Sequence, residues 1–374
     1  MKKLVFFILL LSLSAVSAGA ADIGALDGFG IDARAADNEL YGVRAALFPE
    51  FGAEAVTGAI VGGSGLEGIR NIPNRVADIF FGELKSALKG ALLILGVMIL
   101  CSVITVFGGS FAAGEVSQTA DAVCALSASL VMISVLKDVI ATGMSAVSGG
   151  VSFVKALTPA MVILLFTGGE AASAGTLEFW LFFLIEAMSH AVEYVFIPLI
   201  CCRLALSSAD AVFDGVKLSG LCNLISGFLN FSLGLMLTVF TGFITLNRVV
   251  ASIGDAAAGR TVKFTVSNAV PVVGKIISDA ADLVISYSHI IKSAFGVFGI
   301  IGVVLIFLIP LIKIGAQLVV FKITAALSET LGNERLTKLL NGFAAAISYI
   351  FSLNVCVCVF MVISIGLTVS VGAK

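Results

Sequence analysis

The sequence predicts an all-α, polytopic membrane helical bundle of about seven spans, with six to eight in range, behind a cleaved signal peptide and a short exported N-terminal segment. Three observations carry this reading. Of 374 residues, 59% are hydrophobic and only 12% charged, whereas a soluble domain is roughly 45–50% apolar and about a quarter charged. Lipid must therefore solvate much of the chain. The first residues follow the pattern of a secretory signal. Beyond residue 86, apolar runs recur at lengths that can cross ~30 Å of hydrocarbon.

The signal covers residues 1–20. Lys2 and Lys3 form its basic start, Leu4 to Leu13 its apolar stretch, and Ala18 and Ala20 its small-residue cleavage site. Residues 21–86 form the exported segment, with Asp27, Asp32, Arg34 and Glu39 among small residues and a hinge at Gly62-Gly63-Ser64-Gly65. From 72 to 88 the pattern turns amphipathic. Val76, Ile79, Phe80, Leu84 and Leu88 oppose Arg75, Asp78, Lys85 and Lys89, which suits a surface helix entering the first span.

The membrane domain occupies residues 87–371, with spans placed at 87–109, 121–141, 157–173, 176–206, 219–246, 294–321 and 340–371. The third is short and holds Thr158-Pro159, which suggests a re-entrant hairpin as an alternative. An exported start followed by seven crossings leaves Lys374 in the cytoplasm. It also puts there the basic connector with Arg248, Arg260, Lys263, Lys275 and Lys292, as the positive-inside rule prefers.

Within that connector, residues 268–291 repeat with helical period. Val272, Val273, Ile276, Ile277, Ala280 and Leu283 are apolar, and Lys275, Asp279, Asp282, Ser286 and His289 form a polar stripe opposite. Such a helix either lies in the interface, the preferred reading, or stands in the bundle with its stripe facing water. The stripe residues Lys275, Asp279, Asp282 and His289 form one candidate functional set.

A second candidate set is Glu186, His190 and Glu193, which share a helix face inside an apolar run. Ionisable groups at such depth point to ion or proton passage, unless the run's length brings them near an interface. No metal site is assigned, because a zinc site needs further ligands and the other histidine, His289, is remote in sequence. The seven cysteines lie in or beside apolar runs, and Cys356-x-Cys358 reads as small hydrophobic packing. Gly254 to Thr261 superficially resembles a phosphate-binding loop. Arg260 stands where the lysine belongs and no βαβ unit surrounds it, so the stretch reads as a small-residue turn at the end of a span. Gly296, Gly299 and Gly302 read as close-packing positions.

No nucleophile with a credible base appears, so the sequence predicts no enzyme, no catalytic residues and no cofactor. A formal net charge of −2 excludes a polybasic nucleic-acid binder.

Arg260-Thr261-Val262-Lys263-Phe264, Pro271-Val272-Val273-Gly274-Lys275, Asp279-Ala280-Ala281-Asp282 and Pro310-Leu311-Ile312-Lys313 together resemble the stage III sporulation protein AE family. The likeness covers nearly the whole chain, is strongest over 245–325, and is weakest before residue 85. It implies a multi-pass protein of the mother-cell membrane around the forespore, with its N-terminus extracytoplasmic. It also implies a permease-like or scaffold subunit of the channel complex between mother cell and forespore, needed for late forespore gene expression. The implied partners are other products of the same sporulation operon, including a secretion-type ATPase and ring-forming membrane proteins, and a forespore membrane protein across the intermembrane space. The competing expectation from the residues alone is a self-sufficient secondary transporter using Glu186, His190 and Lys313.

Overall fold

A computed structural model describes residues 78–90, 92, 94–96, 99–100, 103, 114–212, 218–269, 273–330 and 334–369. The signal peptide, most of the exported segment and most of the 87–109 span lie outside the described residues. Every regular element among the described residues is helical. After a helical stretch over 78–90 come α1 (Gly114–Thr167), α2 (Ala171–Ala191), a π turn (Val192–Phe196), α3 (Ile197–Val212), α4 (Ser219–Ala269), α5 (Val273–Thr330) and α6 (Glu334–Val369). Among the described residues, five helical segments are long and apolar enough to cross a membrane: Ala125–Thr167, Phe179–Val212, Ser219–Phe243, Gly296–Thr330 and Glu334–Thr368.

The core is built by α1, α5 and α6. Phe153, Leu157, Phe307, Phe343 and Phe360 are fully buried there, and glycines let the backbones approach. A Cβ on Gly150 would stand 2.6 Å from the Phe307 ring and 2.9 Å from Met361 Sδ, and one on Gly302 would collide with the Phe153 ring. The Gly299 position faces Leu157 and Ile365, and Gly296 is buried. These pairings also set direction. Gly143 meets Asn354, Gly150 meets Met361, and Met161 meets Thr368, so α1 and α6 run parallel. Gly150 against Phe307 and Leu157 against Gly299 make α5 antiparallel to both.

α2, the π turn and α3 descend against α1. The Ile197 N–H bonds to Val192 O, the five-residue spacing of a π turn, directly before Pro198. That wider turn absorbs the hydrogen bond the proline cannot make. α4 is the outermost span. It touches the bundle through Trp180 and Phe243, whose centroids are 4.6 Å apart, and through Phe240 and Phe360, at 5.5 Å. Between α3 and α4, the Leu218 N–H donates to Asp210 Oδ1 at 2.6 Å.

Three boundaries differ from the sequence expectation. Residues 121–141 and 157–173 do not form separate spans or a re-entrant hairpin, because α1 is unbroken from Gly114 to Thr167 and runs through Pro159. A proline removes one backbone bond, and packed neighbours stabilise the rest of the helix. The Gly254 to Thr261 stretch is not a turn but lies inside α4. A helical glycine costs only ~1 kcal/mol, which a 51-residue helix absorbs. Residues 273–291 are not a separate connector helix, because they begin α5 and continue without a break into its apolar span.

α4 and α5 thus continue without a break past their most apolar stretches, through Asp255, Arg260 and Lys263 of α4 and Lys275, Asp279 and Asp282 of α5. The extension, the α1–α2 turn and the C-terminal end of α6 share one end of the bundle.

Candidate functional site

Among the described residues, ionisable side chains gather at several levels of the bundle, three of which involve the candidate residues or their neighbours. At the end that carries the extension, Glu170 and Lys292 form a buried ion pair, Nζ to Oε2 at 3.0 Å, with side chains 8% and 3% exposed. Glu170 is held by a helix-ending motif. The Gly169 N–H bonds to Phe166 O and the Glu170 N–H to Leu165 O, and Gly169 has φ of 79°. This pair of bonds around a left-handed residue is the Schellman arrangement, which favours glycine there. Glu170 follows immediately and starts α2, so the turn fixes its carboxylate against α5. Its second oxygen, Oε1, is buried with no hydrogen-bond partner among the described residues.

Lower in the bundle, Lys155 Nζ of α1 lies 2.5 Å from Glu186 Oε2 of α2, and His190 Nε2 lies 3.7 Å from Glu186 Oε1. All three are partly exposed. The structure therefore brings Glu186 and His190 together and adds Lys155. Glu193 falls in the π turn, is exposed, and joins no ion pair among the described residues.

At the third level are Lys137 and Asp138 of α1, Arg203 of α3 and Lys313 of α5. Lys313 lies 3.8 Å from Glu83 in the 78–90 stretch, where Ala87 packs on Val320. Lys137 to Lys155 along α1, and Glu186 to Arg203 along α2 and α3, both span about 26 Å at 1.5 Å per residue. That spacing approaches the ~30 Å hydrocarbon thickness. The charged groups inside the apolar runs thus form two levels separated by about the thickness of a hydrocarbon layer.

The stripe residues Lys275, Asp279, Asp282 and His289 all lie on the helical extension of α5. Their side chains are outside the described residues. Among the described residues, no three His, Cys, Asp or Glu side chains gather as metal ligands would. Cys358 is buried, and the Cys356 Sγ lies 3.8 Å from Leu233 O across the α4–α6 contact.

Sequence reasoning missed Glu170, Lys155 and Arg203 as partners. A weak signal existed for the first, since Gly168-Gly169-Glu170 places a carboxylate directly after a glycine pair that ends an apolar run. Nothing local announces Lys292 as its mate, 122 residues away.

Comparison with known proteins places these features in a family. A family model described as Stage III sporulation protein AE (spore_III_AE) matches residues 53–372, which take in the bundle and the extension. A relative, "Stage III sporulation protein AE" of Bacillus subtilis (strain 168), is 27% identical over 285 residues, covering 76% of this chain and 71% of that protein. No solved structure matches.

Proposed function

The chain belongs to the stage III sporulation protein AE family, and from that premise we propose that it is a permease-like or scaffold subunit of the channel complex joining mother cell and forespore. In this reading it sits in the mother-cell membrane around the forespore and supports late forespore gene expression. A secretion-type ATPase supplies the energy. Ring-forming membrane proteins of the same operon, and a forespore membrane protein across the intermembrane space, complete the assembly. The chain itself acts by holding and positioning, without catalysis or a cofactor.

The observation that carries this reading is the paired extension of α4 and α5. Two helices that continue past their most apolar stretches through charged segments form an arm beyond the bilayer edge, as a docking subunit requires. The arm also holds most of the charged and proline-containing segments that resemble the family. Its polar stripe at Lys275, Asp279, Asp282 and His289 would face a partner or a water-filled path. An exposed Lys275–Asp279 pair at i, i+4 is worth only ~0.2–0.5 kcal/mol to the helix, so its loss would not unfold the protein.

The test is to replace Asp279 and Asp282 with alanine in a sporulating host. Membrane levels should stay near normal while a late forespore reporter falls, and Glu186→Gln should have a milder effect. Normal reporter expression at normal protein level would remove the stripe from the proposal. The transporter alternative draws on the Lys155, Glu186 and His190 cluster, and ion-dependent uptake by the purified chain in liposomes would favour it.

A further inference from the structure

α4 is the least enclosed of the five segments that can span a membrane. Of its most apolar stretch 11% is buried, against 28–61% in the other four. The inner side of α4 carries Cys222, Leu229 and Met236, all buried and spaced seven residues apart. Arg203 of α3, whose guanidinium lies 5.3 Å from the centroid of the Tyr349 ring of α6, donates Nε–H to Ser226 Oγ on that helix at 2.7 Å. A second series with the same spacing, Gly220, Gly227 and Gly234, interleaves with Asn223 and Asn230, and all five are exposed. At roughly 100° per residue, this series is turned about 140° away from the buried one.

Two properties distinguish this outer face from an ordinary lipid-facing surface. The glycines leave a notch, since a Cβ on Gly220, Gly227 or Gly234 would meet nothing within 4 Å among the described residues. The exposed Leu224 and Phe231 stand beside it. The asparagines, in turn, are unpartnered. Thr238 and Thr245 on the same face turn their hydroxyls to carbonyls one turn back, Gly234 O and Thr241 O, both at 2.8 Å, and Thr241 Oγ1 is enclosed. Asn223 and Asn230 have no hydrogen-bond partner among the described residues, and Asn230 sits beside the midpoint of the Ser219–Phe243 segment. An amide that faced only acyl chains there would give up its bonds to water for nothing, so it calls for a partner within the membrane. The chain's own 78–90 stretch is committed elsewhere, with Glu83 facing Lys313 and Ala87 packed on Val320.

The pattern identifies the partner. Copies of one membrane protein insert in the same direction, so two copies that meet through α4 run parallel, and each residue of the face opposes its own counterpart across a two-fold axis. Glycines then oppose glycines and let the backbones approach. An amide both donates and accepts, so each asparagine is complementary to itself. Alternating steps of three and four residues keep the series on the seam of a left-handed helix pair, where a polar asparagine fixes register. We propose that α4 pairs with α4 of a second copy of this chain through Gly220, Asn223, Gly227, Asn230 and Gly234, with each asparagine amide bonded to its counterpart. The pairing needs only the membrane bundle and is independent of the channel reading.

The experiment uses the full chain, co-expressed in a non-sporulating host as two copies with different affinity tags, extracted in mild detergent and captured through one tag. The unsubstituted chain should bring the second tag with it. Asn223→Leu with Asn230→Leu should lower co-capture about tenfold, the scale of hydrogen bonds between helices in a membrane. Gly227→Leu should abolish it by filling the notch. Nothing within the same copy stands where that side chain would go, so the extracted level of the protein should stay normal. Leu221→Ala, which alters an exposed residue on another face of α4, should change nothing. Absence of co-capture by the unsubstituted chain overturns the proposal. Co-capture left intact by either the double asparagine change or Gly227→Leu also overturns it, since the pairing needs both the amides and the notch. Co-capture seen only in a sporulating host overturns it as well, and would assign this face to another sporulation membrane protein.

Discussion

Removing Lys292 alone should destabilise the bundle far more than removing either member of the Lys155–Glu186 pair. Lys292 and Glu170 are 3% and 8% exposed at 3.0 Å, and Glu170 cannot swing to water because the Schellman turn holds its backbone. Lys292→Met therefore leaves a buried carboxylate without its cation, a change that costs about 3–5 kcal/mol when one member of a buried pair is deleted. Lys155 and Glu186 are 37% and 45% exposed, so water replaces the lost partner and Lys155→Met should cost at most about 1 kcal/mol. Replacing both buried members, Glu170→Leu with Lys292→Met, should recover most of the loss, since apolar groups of similar volume pack without a desolvation penalty. The assay is reversible unfolding in mixed micelles titrated with sodium dodecyl sulfate, analysed as a double-mutant cycle. Equal, small losses for Lys292→Met and Lys155→Met would refute the reasoning, because the Glu170–Lys292 pair could not then be enclosed in the folded protein.

Gly302→Ala should cost about 1–3 kcal/mol, because its Cβ would meet the Phe153 ring, while Gly234→Ala, with open space around it, should be neutral or slightly stabilising in the same titration. Arg260→Ala and Gly259→Ala should leave nucleotide binding unchanged, since both residues are inside a continuous helix; ATP binding by the chain alone that either change abolished would contradict this. A cysteine placed at Ser64 should react with a membrane-impermeant reagent in intact cells, and reaction only after lysis would mean that the segment 21–86 is not exported.

Much of the bundle was legible because hydropathy reports lipid contact directly. The runs 176–206, 219–246 and 294–321, and 340–371 as far as it is described, each fall on helices of the structure. What hydropathy could not report was continuity. Lys137-Asp138, Gly149-Gly150, Lys155 and Pro159 lower the apolar signal of α1 without breaking its backbone. Gly150 is there to receive Phe307, and Lys155 to meet Glu186. A glycine that serves packing and a glycine that ends a helix look alike in one dimension, which is also why 254–261 reads as a turn. The Glu186 and His190 contact was readable from its i, i+4 spacing. The extra residue of the π turn was not, and it moves Glu193 off the register that simple counting assigns. Arg203 against Tyr349 and Glu170 against Lys292 are products of helix order, which no local pattern encodes.

The unbroken course of α1 also bears on which compartment each later segment faces. An uninterrupted helix passes through a bilayer once, so a stretch counted as two crossings becomes one and every residue after it changes sides. Were the start exported and 87–109 one crossing, Gly114 would face the cytoplasm and Thr167 would not. The α4–α5 arm would then stand on the same side as residues 21–86, and its arginines and lysines would run against the positive-inside preference instead of following it. Two segments that lie far apart in the chain would become neighbours on one membrane face, and a partner on that side would meet them together.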